Sequence, residues 1–490
     1  MLKTWDIFDT LIARRCILPQ AVFQIMEQLT KFSGLMQTRI FAEQQIARRG
    51  VNYTLDDIYS ELEKISELNK EVCNILKGIE IQTEIEQAIP ITENILQVKA
   101  GDILISDMYL PEEVIRKMLE KCGLLVPVEI VITSGGKASG KIWRQLAAQN
   151  QFVFHIGDNE INDVKNSRDA GFDSALTILS RPNIAEQFLA QKDFNFAAYL
   201  REIRLRNPYQ EEIKRKYWEF FTLNIGILII LVQLIDDLQK KCGFEYLGFC
   251  GRDTYYLRLL YERFKEDKGE KPTPNDYLYY SRKLIHTSED EMAKYFSAKI
   301  AGRKALMIDL VGTGVSLDKL RTEKNVNYST LICGYNIWDV NVYIPGKWIS
   351  ITKNSNIPNE GNLNYCVTNS EKDNLKWAET PELLNRATHN TPVKLNTLEI
   401  GGKCIPNVIF SEINDTENFD VMDSCFHQVL NSTIIWGGLK GQNPIENIKQ
   451  LLTILESSSP IILRSNQRVN EYADRKDFIN SFENQYRHKI

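Results

Sequence analysis

The chain has 490 residues, 43% of them hydrophobic, and a formal net charge of -5. That length exceeds what one hydrophobic core serves and calls for two or three domains, and the mildly acidic balance removes the electrostatic ground for nucleic-acid binding. Nine scattered cysteines without a Cys-x-x-Cys pair or close Cys-His spacing argue against zinc; their odd number, with no cleavable apolar leader, points to a reducing compartment, by default the cytosol.

The first predicted element is a strand in Leu2-Lys3-Thr4-Trp5-Asp6-Ile7-Phe8-Asp9-Thr10, which sets Asp6 at a strand tip. A carboxylate so placed can attack phosphorus, because Asp is among the side chains that form covalent phosphoryl intermediates. Residues 14–98 then turn helical: Ala21-Val22-Phe23-Gln24-Ile25-Met26 and Leu55-Asp56-Asp57-Ile58-Tyr59-Ser60-Glu61-Leu62 space apolar residues three and four apart. Arg14 and Arg15 either meet an anionic substrate or are solvated residues of a helix start.

From Ala100 to about residue 180 strand and helix alternate, the pattern of a parallel sheet covered on both faces, whose ligands bind at the carboxyl ends of the strands. Ile103-Leu104-Ile105-Ser106-Asp107 brings the Ser106 hydroxyl to such an end, before a helix opening at Pro111-Glu112-Glu113. Glu129-Ile130-Val131-Ile132-Thr133-Ser134 leads into Gly135-Gly136-Lys137, whose ammonium can reach the same phosphoryl group; Lys141 is the weaker candidate. Phe152-Val153-Phe154-His155-Ile156-Gly157-Asp158 closes on a second strand-end acid, with Asp163 in the next turn. Magnesium takes one or two carboxylates together with waters and phosphate oxygens, so Asp6, Asp158 and Asp163 form a candidate Mg2+ site. Asp102 and Asp107 read as cap or turn residues, and His155 as a packed strand residue.

Residues 191–240 read as a helical connector, charged at first and then apolar from Phe220 to Ile235. That run is short of the roughly 20 apolar residues a bilayer needs and is broken by Asn224 and Gln233, so it reads as a buried helix and no membrane span is expected. A second α/β domain is predicted over 241–345. Its strand Phe244–Cys250 ends in Gly251-Arg252-Asp253-Thr254, and Ala305-Leu306-Met307-Ile308-Asp309-Leu310 runs into Val311-Gly312-Thr313-Gly314-Val315-Ser316. Glycine amides ahead of a helix cradle phosphate, which makes Asp309, Gly312, Thr313, Gly314 and Ser316 candidate ligand-binding residues. In the alternative, Arg252, Asp253, Ser281, Arg282 and Asp309 only hydrogen-bond within a scaffold. Residues 346–490 hold Gly401-Gly402, Gly437-Gly438 and many Asn, but no constellation that implies chemistry.

In chain order, Asp6, Ser106, Lys137 and Asp158 with Asp163 resemble the four motifs of the haloacid dehalogenase (HAD) superfamily of phosphohydrolases, over residues 1–190. The resemblance implies an α/β chain: a HAD-like Rossmannoid parallel sheet with a helical cap at about 14–98, followed by the second Rossmann-like α/β domain. It also implies a magnesium-dependent phosphohydrolase acting on a small phosphorylated metabolite, a sugar phosphate or nucleotide, through an aspartyl-phosphate. Asp6 would attack, Asp6 and Asp158 would hold the metal, Ser106 and Lys137 would bind the phosphoryl group, and Asp163 would support Lys137 or the metal shell.

One position departs from that family. Its usual Asp-x-Asp-Gly-Thr is here Asp6-Ile7-Phe8-Asp9-Thr10, so Phe8 stands where the general acid belongs and Asp9 where glycine is usual. Asp9 is the first substitute as proton carrier, ahead of a leaving group that needs no proton and of a domain that no longer hydrolyses. The string from Asp309 to Ser316 partly resembles the phosphoribosyl-pyrophosphate loop of type I phosphoribosyltransferases, with Leu310 in place of a second acid. Over residues 1–340 the order of elements also resembles bacterial two-domain HAD-like proteins of surface-polysaccharide loci. Two further readings follow: a bifunctional protein or transferase whose second domain binds a phosphoribosyl or nucleotide-sugar ligand, and an inactive scaffold.

Overall fold

The computed structural model describes residues 2–49, 52–149, 153–251, 253–335, 348–351, 362–369, 392–410, 419–439 and 444–458. Phe152 and Arg252, both named from the sequence, lie outside the described residues, as does much of 346–490. The chain falls into two units, Met1–Lys216 and Tyr217–Ile490. Both are α/β with parallel sheets of Rossmann-like form.

In the first unit, strands β1 (Leu2–Asp6), β4 (Ile103–Asp107), β5 (Glu129–Thr133), β6 (Val153–Gly157) and β7 (Asp173–Leu176) make a five-stranded sheet of order β5-β4-β1-β6-β7. Every pairing is parallel, so all five carboxyl ends share one edge. β1 sits in the middle, with Asp6 level with Ile105 of β4 and Trp5 level with Ile156 of β6. That register brings Asp6 near both Ser106 and Asp158. Alternation along a strand sends Thr4 and Asp6 to one face and Trp5 to the other, where Trp5 is fully buried and its indole N–H donates to Asp102 at 3.0 Å.

Between β1 and β4 the chain forms a helical insert. Its ends are tied by an antiparallel pair, β2 (Ile12–Arg14) with β3 (Ala88–Pro90), and it contains α1 (Ala21–Thr30), α2 (Leu35–Ala47), α3 (Leu55–Ile65) and α4 (Lys70–Gln87). Side-chain caps fix the starts of two of these helices: Thr54 and Asp57 close a reciprocal capping box on α3, and Asn69 caps α4. The apolar faces expected from the spacing are buried, with Val22, Phe23, Met26, Leu55, Ile58, Tyr59 and Leu62 in one core with Trp5 and Leu104. Arg39 of α2 is fully buried there, bonded bidentately to Glu80 of α4 at 2.7 and 2.8 Å.

The remaining helices of the first unit are α5 (Thr92–Ile95), α6 (Glu112–Lys121), α7 (Lys141–Gln149), a π-helical turn (Glu160–Lys165), α8 (Asn166–Asp169), α9 (Ile184–Ala190) and α10 (Phe194–Leu205). α10 departs from the expected connector. Phe196, Ala197, Leu200 and Arg201 are buried within the first unit, and the Arg201 guanidinium donates to the backbone carbonyls of Ser180 and Arg14, both at 2.9 Å. Arg14 is not solvated but buried against Glu84, whereas Arg15 is exposed and pairs with Glu202 at 2.7 Å.

Helix α11 (Glu212–Cys242) runs across the boundary between the units and is long and apolar enough to cross a membrane by length and composition, yet 89% of its most apolar window is buried inside the protein. In the second unit, β8 (Tyr246–Cys250), β9 (Asn275–Leu278), β10 (Ala305–Gly312), β11 (Ser329–Tyr335), β12 (Trp348–Ser350) and β13 (Asn364–Asn369) form a parallel sheet of order β12-β13-β11-β10-β8-β9. β12 and β13 carry this sheet beyond residue 345, the expected end of the domain. The helices between are α12 (Tyr255–Asp267), α13 (Arg282–Thr287), α14 (Glu289–Ile300) and α15 (Val315–Glu323). A ribbon, β14 (Pro392–Ile400) with β15 (Lys403–Phe410), and helices α16 (Phe419–Leu430) and α17 (Pro444–Ser458) complete the described residues.

Candidate active site

At the carboxyl edge of the first sheet, Asp6, Asp158 and Asp163 each present a ligand atom within 4.8 Å of the others. Asp6 and Asp163 are buried and Asp158 is half-buried. Asp6 ends β1, Asp158 follows β6, and Asp163 comes from the π-helical turn after it. The Asn159 side chain accepts from the amides of Ile161 and Asn162 at 3.0 and 2.9 Å, and the Asn159 backbone N–H donates to Asp163 Oδ2 at 3.0 Å. Gly157 makes this packing possible, since a Cβ there would stand 2.5 Å from Asp163 Oδ2.

Lys137, in the loop between β5 and α7, is buried, and its ammonium donates to both Asp6 Oδ1 and Asp163 Oδ1, the latter at 2.7 Å. The loop is held by Asp107, the last residue of β4: its carboxylate accepts from the Lys137 amide at 3.1 Å and from the Thr133 hydroxyl. Asn166 adds a bond to the Lys137 carbonyl at 3.0 Å. Asp107 is thus a turn anchor, as the sequence suggests. Ser106 is buried one residue past Ile105, at the height of the strand ends, and Lys141 is exposed at the start of α7.

The electrostatics follow from this crowding. Burial raises the Asp6 carboxyl to about 7; Lys137 pulls it back, while Asp163 and Asp158 push it further up. Asp158 is raised by burial first and then by Asp9 and Asp163. Burial also works against the charge of Asp163, but the bonds from His155 and Lys137 outweigh it and hold this carboxyl below the usual carboxylate range. Burial lowers the Lys137 pKa, but the Asp6 and Asp163 carboxylates beside it outweigh this and raise it above the usual lysine value. Carboxylates that repel one another across a few ångströms are the donor set that a divalent cation relieves, and hard oxygen donors at strand ends fit magnesium.

Several contributors carried no signal of their own in the sequence. His155 packs as expected, with its ring 4.5 Å from that of Trp143, but it also spans from Thr4 Oγ1 at 2.9 Å to Asp163 Oδ1 at 3.4 Å, and burial pushes its pKa down to about 4. Thr10 donates to Asp6 Oδ2 at 3.0 Å; its position four residues after the acid was the only available cue. Arg201 reaches Asp9 from a helix nearly two hundred residues away in sequence, at 3.8 Å.

Phe8 and Asp9 occupy a tight turn in which the amides of Leu11 and Ile12 both bond to the Ile7 carbonyl. Asp9 has φ 58°, the left-handed conformation that Gly, Asn and Asp adopt at least cost, so it meets the backbone demand of that position in place of glycine. Its carboxyl is turned to Ser180 and Arg201 and stands outside the group of three ligand carboxylates. Burial raises its pKa against the pull of Arg201 and Arg14.

Of the residues expected in the second unit, Asp309, Gly312 and Gly314 lie close together, since a Cβ on Gly312 would stand 3.4 Å from Asp309 Oδ2 and 3.9 Å from the Gly314 amide nitrogen. Asp309 lies three residues before the end of β10. Gly314, at φ 75°, precedes α15, and the Ser316 hydroxyl bonds to Tyr280. Ser281 is a helix cap, accepting from the Leu284 amide at 3.1 Å and donating to the Pro392 carbonyl at 2.7 Å. The side chain of Arg282 lies outside the described residues. No protein-family model and no curated protein matches the chain.

Proposed function

We propose that the first unit is a magnesium-dependent phosphohydrolase of HAD type, acting on a small phosphorylated metabolite, a sugar phosphate or nucleotide, through an aspartyl-phosphate on Asp6. The observation that carries this reading is the convergence of Asp6, Asp158 and Asp163 within 4.8 Å at the carboxyl ends of neighbouring parallel strands. Ligand sites of open α/β sheets form at that edge. Asp6 and Asp158 would hold the ion, which when bound would neutralise charge on the phosphoryl group. Thr10 and Lys137 keep the Asp6 oxygens fixed for attack on phosphorus. Lys137 presents a retained positive charge to the phosphoryl oxygens, Ser106 offers a hydroxyl at the same level, and Asp163 with His155 positions Lys137.

The test is Asp6→Asn. It removes the nucleophile while keeping the shape and the acceptor for Thr10, so phosphate release from p-nitrophenyl phosphate should be abolished with the far-UV spectrum and melting cooperativity intact. Unchanged turnover refutes the assignment.

One observation favours a second reading, in which the second unit binds a phosphoribosyl or nucleotide-sugar ligand. Gly251 and Asp253 follow β8 and the Gly312-Thr313-Gly314 turn ends β10; these two strands are neighbours, and the chain passes from β9 on one side of them to β11 on the other. Such reversals are where doubly wound sheets bind ligands. Thermal stabilisation by phosphoribosyl pyrophosphate should then be lost in Asp309→Ala and kept in Asp6→Asn.

A further inference from the structure

Gly401 and Gly402, at φ 58° and 73°, form the two-residue left-handed turn that joins β14 to β15, with Ile400 paired to Lys403 across it. Alternation divides this ribbon into two faces. On the inner face Leu395 and Val408 pack into the core of the second unit. Thr397 of the same set bonds to Glu291 of α14, and Glu399 acts on the charge of Lys294 there. On the outer face Leu398 pairs with Ile405, and Ile400 with Lys403, near the turn. Toward the base come the pair Asn396 and Asn407, then Lys394 beside Ile409. The four aliphatic side chains of this face are between 42% and 60% exposed, far more than a packed sheet face allows.

The edges of the ribbon are closed to strand addition. Along β14 the Val393 carbonyl accepts from the Thr287 hydroxyl at 3.1 Å, and the amides of Leu395 and Thr397 donate to Ser288 Oγ and Glu291 Oε2 at 3.2 and 2.8 Å. Thr397 pairs with Pro406, so the backbone of Pro406 points to the opposite edge, where it has no N–H to offer. What the ribbon leaves to a partner is its outer face.

We infer that this face is a peripheral contact for the surface of an anionic phospholipid bilayer. Both of its charges are positive, Lys394 toward the base and Lys403 at the turn with Leu398 and Ile405 between them, although the whole chain carries a net charge of -5. Laid flat on a bilayer, the aliphatic side chains enter the boundary between headgroups and acyl chains, and the two ammonium groups meet lipid phosphates. Asn396 and Asn407 stay in the hydrated headgroup layer, and Glu399, on the inner face, is directed away from it. A second copy of the chain fits less well, because two such faces would set lysines against lysines and bury the asparagine amides. The contact does not depend on the chemistry of either sheet.

The experiment floats the full chain with vesicles of phosphatidylcholine alone and of phosphatidylcholine with phosphatidylglycerol, at low and at raised salt, and takes the mass of the free protein by light scattering. Binding is expected on the anionic vesicles and should weaken with salt, since salt screens exposed charge. Lys394→Gln and Lys403→Gln should each weaken it about fivefold, while Lys70→Gln, at an exposed lysine of α4 in the first unit, should leave it unchanged. Leu398→Asn and Ile400→Asn should each weaken it by about threefold to tenfold, with thermal unfolding as in the wild-type protein. The lysine variants change only exposed side chains, so they test the face even where an asparagine variant fails to fold. No binding, binding indifferent to phosphatidylglycerol, or equal losses in Lys70→Gln and Lys403→Gln would overturn the inference. So would a wild-type dimer that Leu398→Asn dissociates, since the face would then belong to a second copy.

Discussion

Gly157→Ala gives a sharp test of how the site is assembled, because a single methyl group is aimed at Asp163. The new Cβ would lie 2.5 Å from Asp163 Oδ2, closer than the 3.0 Å below which real Cβ atoms are essentially never found, and the Cβ and Cγ of Asp163 are in the way as well. A flexible tip cannot simply swing aside, so the π-helical turn must move by about half an ångström or more, with overpacking of this kind costing about 1–3 kcal/mol. Asp163 then loses its registration with Lys137 at 2.7 Å and His155 at 3.4 Å. A misplacement near 1 Å in a catalytic constellation lowers the rate by about a hundredfold. The control is the same substitution at Gly78, which is exposed in α4 with nothing within 4 Å of an added Cβ. There alanine should stabilise by about 0.5–1 kcal/mol through helix propensity. Urea unfolding followed by circular dichroism gives both free energies, and phosphate release gives the rate. If Gly157→Ala unfolds and turns over like the wild-type protein, Asp163 is not packed on the strand end and the site as described is wrong.

Two other expectations concern charge. At a hundredfold excess over its dissociation constant, magnesium should stabilise the protein by about 2.7 kcal/mol through mass action, and Asp158→Asn should remove most of that shift; a wild-type protein that responds to neither magnesium nor beryllium fluoride is the inert scaffold. In the helical insert, Arg39→Met should lower the unfolding free energy by about 3–5 kcal/mol, because it strands the buried Glu80 carboxylate. The double variant Arg39→Met/Glu80→Gln should recover much of that loss, since the amide is uncharged and still accepts from the Tyr59 hydroxyl. Equal losses in the single and double variants would show that packing of the guanidinium on Phe23 and Tyr109, not charge, is what matters.

Much of the first unit was legible in the chain because its signals are local. An apolar run closing on an acid, repeated at Asp6 and Gly157-Asp158, specifies strand ends, and alternation of strand and helix implies a parallel sheet with those ends on one edge. The helical insert was legible from its apolar spacing. The second sheet was less so: β10 continues through Asp309 to Gly312, which apolar patterning alone did not separate from a strand ending in an acid, and β12 and β13 join from a region with no recognisable motif. The division between the units was also obscured, because charged helical text describes α10 and a linker equally well, while the burial of Arg201 depends on residues far away in sequence.

The sequence by itself determined which acids, hydroxyl and ammonium stand at strand ends as candidates for a site, because residue type and position along a strand are properties of the chain. Only the tertiary structure decided their partners: Lys137 bridging Asp6 and Asp163, His155 spanning Thr4 and Asp163, Arg14 bonded to Glu84 and covering Phe8, and Arg201 standing 3.8 Å from Asp9. Charge–charge energies depend on distance and burial, and neither is a function of separation along the chain.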